Sequence, residues 1–305
     1  MKVLVLGGGP DAEREISLKS AAAVAAALRT RYEVVEQTIG RIGLGELRAM
    51  PGDVVFPALH GFFGEGGPMQ DLLEADGRPY VGSGPGAARW CMDKIGTKLA
   101  ALALGVPTAP ACLFDPRDEK APFDPPLVLK PTHDGSSVGL HMCADDEAWK
   151  RGRDAAQADV SANPYRSYMI ERLVPGRELT VGLLGGPEGL RALPIIEIGP
   201  ASGVYDYEAK YNRSDTRYTV GPCLPAGVGE RVSEDALRLG SHLGVRDLAR
   251  VDFLLDARGS AQVLEVNTMP GFTGTSLLPK AARAVGLSFE DLCAHLIELA
   301  RARGR

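Results

Sequence analysis

An α/β fold, α+β over the whole chain, is predicted by three features of the 305-residue sequence. Apolar β-rich runs alternate with helical stretches over the first 88 residues, the middle third is mixed, and two apolar strands lie close together near the C-terminus. KVLVLG opens the chain as a strand, and an alanine-rich helix follows from about residue 13 to 28, with Asp11 its expected cap. YEVVEQT and DVVFPALH read as further strands and PMQDLLEADG as a helix, so residues 1–88 form a parallel α/β domain. Residues 89–179 hold a helix around DKIGTKLAALALG, a proline-rich loop DPRDEKAPFDPP, and the strands PLVLKP and SSVGLHMC about a polar glycine turn. In residues 180–305 the strands TVGLL, ALPIIEI, ARVDFLLD and QVLEVN alternate with helices after Gly229 and from about residue 277.

Composition narrows the function classes. The chain is 45% hydrophobic and 24% charged, with a net charge of -5 and no long basic run, so no nucleic-acid partner is expected. Five scattered cysteines without a C-x-x-C read as reduced thiols. The apolar part of MKVLVLGGG is shorter than the ~7 residues of a minimal signal h-region. No segment reaches the ~18 apolar residues of a membrane span, so the expected location is the cytoplasm, with no membrane partner.

LGGGPDAERE, residues 6–15, tempts a dinucleotide reading: Gly7, Gly9 and Ala12 fit G-x-G-x-x-G/A, and Glu36 lies roughly 20 residues on. Pro10 argues against it, because it removes an N–H that a pyrophosphate would use.

Stronger chemistry lies further along. In VLKPTHDGSSVG, residues 128–139, a strand ends on Lys130 and a glycine–serine loop follows, able to wrap phosphates with its N–H groups or to serve as a solvated hairpin turn. It lacks the G-x-x-x-x-G-K-[ST] of a P-loop. In RVDFLLDARGSAQVLEVNTMPG, residues 250–271, Asp252, Glu265 and Asn267 sit among hydrophobes on neighbouring strands, and three hard oxygen donors suit Mg²⁺. Arg250 shares a strand face with Asp252 and can stabilise developing negative charge. The alternative for these residues is an ion network on an edge strand. Only nine of the 34 basic residues are lysine, and Lys94, Lys130 and Lys210 all stand in polar contexts suited to phosphate or to solvent. Glu171 and Glu178 flank a Pro-Gly turn where a purine and its ribose could bond.

Taken in order, AEREISL, ALHGFFGEGG, GSG, MDKIGTK, VLKPTHDGSSVG, YDYEAKY, ARVDF and LEVNTMPGFTGTSLLP give the chain its identity: it resembles the D-alanine–D-alanine ligases of the ATP-grasp superfamily from end to end. The resemblance implies three domains, ATP-driven joining of two D-alanines through an acyl phosphate for peptidoglycan precursors, two Mg²⁺ (or Mn²⁺), and a homodimer. It places Glu13 on the first D-alanine's ammonium and His60 on the substrate side, with a purely structural histidine the equal alternative. Lys94, Lys130 and Lys210 would hold ATP phosphates, with Ser137 covering them, and Glu171 and Glu178 would hold adenine and ribose. Asp252, Glu265 and Asn267 would bind the metals, and Arg250 and the Gly271 N–H the oxyanion. Ser276 and Leu277 would take the second D-alanine's carboxylate, while Ser136 and Tyr211 join Glu13 in closing the site.

The chain departs from the family pattern at THDG, at the two phenylalanines and the glycine in HGFFGEGG, and at Gly274, none of which removes an assigned residue. Two rivals remain: a ligase using another second substrate, depsipeptide formation included, and a nucleotide-binding module without catalysis. Tyr211 opposes the first, and an intact metal and oxyanion set the second.

Overall fold

The computed structural model describes residues 1–135, 139–163, 165–199 and 216–304. Strands β1 (Lys2–Gly8), β2 (Glu33–Ile39) and β3 (Val54–Pro57) form a parallel sheet in the order β2-β1-β3. Val3, Leu4, Val5 and Leu6 are all fully buried, as a central strand covered on both faces requires. The helix Arg14–Leu28 returns the chain against β1. A Cβ at Gly7 would stand 2.5 Å from the Ala21 Cβ, so this glycine serves close strand–helix packing. Glu36, the acid of the dinucleotide pattern, pairs instead with Arg29 at 3.0 Å.

One local expectation is corrected here. Asp11 does not cap the helix: Glu13 holds the N-cap position, and the Asp11 carboxylate accepts from the Phe63 N–H at 2.7 Å. Asp11 thus ties the glycine turn to the 61–65 helix rather than to its own.

A second, antiparallel sheet contains β4 (Ala111–Leu113), β5 (Leu127–Pro131), β6 (His141–Cys143) and β7 (Tyr168–Arg172) in the order β4-β7-β5-β6. The helix Asp146–Ala162, capped by Asp145, packs on it through buried Trp149. The third sheet comprises β8 (Arg177–Gly186), β9 (Gly189–Ala192), β10 (Ile196–Gly199), β11 (Arg217–Val220), β12 (Leu248–Leu255) and β13 (Ala261–Asn267). Its order is β11-β10-β8-β12-β13, with β9 continuing beside β8. The expected break at 88/89 falls inside the helix Pro85–Met92, and that at 179/180 inside β8.

Two features fasten the first sheet to the third. Phe272, just beyond β13, packs between Phe56 and Phe289 with ring centroids 5.7 and 5.6 Å apart. Asp247, buried and at φ 59°, accepts from the Gly82 N–H at 2.8 Å and pairs with Arg303. A non-glycine residue in that region carries backbone strain, held by these contacts. No helix among the described residues is long and apolar enough to cross a membrane, and all five cysteines are free.

Candidate active site

The register of β12 against β13 builds the centre of the site. Asp252 lies opposite Glu265 and Arg250 opposite Asn267, so four polar side chains share one face of an antiparallel pair. The register shifts between Asp252 and Phe253, which pairs Phe253 with Val263 and leaves Leu264 as the extra residue. Phe253 and Val263 thereby stay in the core, while Leu264 joins Asp252 and Glu265 on a cavity wall.

Asp252 is buried but well supplied with donors. Arg250 grips it as a fork, Nε to Oδ1 at 2.9 Å and Nη2 to Oδ2 at 2.8 Å, and Thr180 on β8 donates to Oδ1 at 2.6 Å. The Asn267 Oδ1 accepts from the Met269 N–H at 3.1 Å, which fixes the direction of its amide oxygen. Among the described residues no three His, Cys, Asp or Glu side chains form a metal cage. Two carboxylates and one amide oxygen instead match Mg²⁺, a hard ion that keeps waters and phosphate oxygens in its shell.

Facing this pair is the helix Lys94–Ala103, started by Asp93, whose side chain accepts from the Ile95 N–H at 2.9 Å. Lys94 reaches the Asp134 carbonyl and lies 3.7 Å from Glu265 Oε2. Lys130, at the end of β5, pairs with Glu171 on β7. Both lysines are buried, so neither is a solvated surface residue. Burial pushes the Lys94 ammonium below its usual range, and Glu265 partly restores it. Burial alone would raise Glu171, but the Lys130 and Lys98 ammoniums outweigh it and hold the carboxyl below the usual range.

Between the second and third sheets lies a cavity of about 600 Å³, with Lys94, Lys130, Glu171, Glu178, Asp252 and Glu265 on its polar walls. Val128, Leu140, Met142, Leu173, Leu254 and Leu264 supply apolar wall, and Asp134, Arg177 and Glu197 add further charge. Apolar wall together with buried charges of both signs fits a purine nucleotide, and the volume suits it. A second cleft of about 610 Å³ adjoins it, sharing Asp134 and Gly135, and is lined by Asp11, Glu13, Phe62, His133 and Arg166. Glu13 closes against Gly135 so tightly that a Cβ there would lie 3.0 Å from its Oε2.

His60 is buried with both ring nitrogens engaged. Its Nδ1 lies 2.9 Å from the Met269 carbonyl and must donate, so Nε2 accepts from the Ser20 hydroxyl at 3.0 Å. Ser20 in turn accepts from the Phe272 N–H at 3.1 Å. Burial lowers His60 to about 4. The loop carrying Gly271 then runs to Ser276, the N-cap of the helix Leu277–Ala284. Ser276 spends its hydroxyl backwards on the Thr273 N–H at 3.0 Å, and its own side chain caps no N–H of the helix. A carboxylate is a natural ligand for such an end.

A family model described as D-ala D-ala ligase C-terminus matches residues 115–298. The chain belongs to the D-alanine–D-alanine ligase family. It is 41% identical over 309 residues to the D-alanine–D-alanine ligase of Desulforudis audaxviator, covering 99% of each chain. To that of Ruegeria pomeroyi it is 43% identical, covering 97% of this chain and 95% of the relative. Its fold matches the crystal structure of the Bacillus anthracis D-alanine–D-alanine ligase complexed with ATP, with TM-score 0.83 and 29% identity over 100% and 98% of the two chains. It matches that of the VanG D-Ala:D-Ser ligase from Enterococcus faecalis equally well, with TM-score 0.84 and 26% identity over 98% and 99%. The ATP-grasp architecture is therefore that of this family.

Within this ligase the structure gathers Lys94, Lys130, Glu171, Glu178, Asp252 and Glu265 around one cavity, and brings Arg250 and Asn267 onto the same strand face. Ser136, Ser137, Lys210 and Tyr211 lie outside the described residues. Two residues emerge that the sequence reading passed over. Glu65 is buried and accepts from the N–H groups of Gly61 and Met269, both at 3.2 Å. Burial first, then the Glu13 charge, drives its carboxyl well above the usual range, with Arg250 opposing. Lys98 lies 2.8 Å from Glu171 Oε2. Both stand in stretches that carried the resemblance, where a lone acid among glycines and a second lysine four residues after the first were the available signals.

Proposed function

We propose that this ligase joins two D-alanine molecules to D-alanyl-D-alanine in the cytoplasm, with ATP converted to ADP and phosphate, for peptidoglycan precursor synthesis. The observation that carries the reading is the shared face of Arg250, Asp252, Glu265 and Asn267 opposite Lys94 and Lys130 across one cavity. In this reading Glu171 and Glu178 hold adenine and ribose, and Lys94, Lys130 and Lys210 the phosphates, with Ser137 over them. Asp252, Glu265 and Asn267 hold Mg²⁺, which neutralises charge on the phosphoryl group being transferred.

The first D-alanine binds by its ammonium to Glu13, which points its carboxylate toward the nucleotide. A carboxylate oxygen attacks the γ-phosphorus, the bond to the β-phosphate oxygen breaks, and ADP and an acyl phosphate form. The second D-alanine lies with its carboxylate at Ser276 and the N-terminus of the helix at Leu277, and its neutral amine attacks the acyl carbon. Negative charge then collects on the carbonyl oxygen, where Arg250 and the Gly271 N–H stabilise it. Phosphate leaves as the C–O bond breaks, and the amine gives up its proton. The set of Glu13, Ser136 and Tyr211 keeps water away from the acyl phosphate. His60 acts here by locking the 268–272 loop to the helix that carries Glu13.

A second copy is the proposed partner. Trp90, Leu99 and Leu102, on consecutive helices, are 54%, 58% and 62% exposed and offer it an apolar surface. The reaction is tested with D-alanine labelled with ¹⁸O in its carboxylate. One labelled oxygen must appear in the released phosphate, and unlabelled phosphate would contradict the acyl phosphate.

A further inference from the structure

Glu171 is a single buried carboxylate between two lysines, and only one of those lysines reaches the nucleotide cavity. Lys130 and Glu171 line it, whereas Lys98 lies behind Glu171 and does not. Lys98 donates to Thr108 Oγ1 at 2.9 Å and to the Ala109 carbonyl at 3.0 Å, and its ammonium lies 2.8 Å from Glu171 Oε2 as an ion pair. The Thr108 hydroxyl in turn donates a hydrogen bond to the Val263 carbonyl at 3.0 Å, on the strand that carries Glu265. The ammonium of Lys98 is thereby anchored, while Lys130 has Glu171 as its ion-pair partner among the described residues.

We propose that Lys98 is a positioning residue: it is the fixed counter-ion of Glu171 that lets Lys130 move from Glu171 to a nucleotide phosphate. The inference deepens the ATP site proposed above and rests on it. When Lys130 turns to a phosphate, Glu171 loses one of its two cations while still buried. A lone buried carboxylate is strongly unfavourable, so without Lys98 the release of Lys130 would be resisted. With Lys98 in place the carboxylate stays paired throughout, and the handover costs little. Lys94 and Lys98, four residues apart on one helix face, then divide the work: Lys94 faces the ligand and Lys98 its counter-charge.

The test compares ATP with adenosine, which has no phosphate and makes no demand on Lys130. In Lys98→Met the Kd for ATP, measured by calorimetry on the full chain, is expected to rise by about tenfold or more, with adenosine changed less than about twofold. Adding Glu171→Gln to Lys98→Met removes the charge that traps Lys130 and is expected to recover part of the lost preference for ATP over adenosine, a ratio that cancels any effect of Glu171 on the adenine common to both ligands. Equal losses for ATP and adenosine, unchanged ATP affinity, or no recovery in the double variant would each overturn the proposal. Should Lys98→Met fail to fold, Thr108→Val removes one of the three anchors and is expected to weaken ATP selectively by about threefold. An equal effect on adenosine, or none on ATP, would count against the idea in the same way. A wild-type protein that binds no ATP would instead overturn the nucleotide site itself, so the two failures are distinct.

Discussion

Arg250 lays its guanidinium fork on Asp252, two residues ahead on the same strand, with contacts of 2.9 and 2.8 Å. The residue proposed to steady the oxyanion is therefore oriented by a carboxylate proposed to hold the metal. A planar fork makes two parallel bonds, which a flexible ammonium cannot reproduce. Arg250→Lys is expected to lower kcat by roughly 10²-fold or more, the scale of removing one oxyanion donor. Steady-state kinetics decide the role: a change confined to the KM for ATP would make Arg250 a nucleotide ligand.

Glu265 faces Asp252 across the strand pair and Lys94 across the cavity. Glu265→Gln keeps the shape but removes a charge that a divalent ion needs, so turnover should fall by on the order of 10²-fold or more. Thermal melting should stay close to wild type. Near-normal turnover at saturating Mg²⁺ would remove Glu265 from the metal site.

Acid should loosen the substrate side of the site through His60. Its usual value is 6.5 and burial brings it to about 4 in the fold, outweighing the Met269 carbonyl, which favours the charged ring, while the Arg250 charge disfavours it. Above 6.5 neither state binds the proton and His60 adds no pH dependence. Between about 6.5 and 4 the unfolded chain takes up a proton that the folded chain refuses, so stability falls as pH falls. The whole window amounts to about 3 kcal/mol. Urea unfolding at pH 7 and pH 4.5 should show a steeper loss in the wild type than in His60→Gln. Equal losses would mean that the ring is charged in the fold.

Tyr211 and Ser136 are proposed to seal the site with Glu13, and Tyr211→Phe removes one hydroxyl with a typical net worth of ~0.5 to 1.5 kcal/mol. The variant should fold normally and lose part of its preference for an amine over a hydroxy acid. Unchanged partitioning between D-alanine and D-lactate would take Tyr211 out of the cause of that preference.

How much of this could be read in the sequence depends on how far apart the partners lie. Asp252, Glu265 and Asn267 were legible because the period of two on adjacent strands places them on one face, and a short DARGS turn joins those strands. The bulge at Leu264, opposite the Asp252–Phe253 step, left no mark in the pattern, yet it keeps Phe253 and Val263 in the core. Asp11 was misread as a cap because its true partner, the Phe63 N–H, lies 52 residues away. Glu65 and Lys98 went unassigned for the same reason: Met269 is 204 residues from Glu65, and Glu171 lies on a different sheet from the helix of Lys98. The glycines of the opening turn suited two explanations, and the Ala21 contact of Gly7 decides for packing.

The measurement that tests the central claim most directly is product partitioning with D-alanine, D-serine and D-lactate in competition, given ATP and Mg²⁺ across pH 6 to 9. D-serine belongs in the mixture because the fold matches a D-Ala:D-Ser ligase as well as it matches a D-alanine–D-alanine ligase. The account predicts D-alanyl-D-alanine as the main product near neutral pH, with one ADP and one phosphate for each dipeptide. Predominant D-alanyl-D-serine or D-alanyl-D-lactate across the range, or ATP cleavage without any dipeptide, would contradict it.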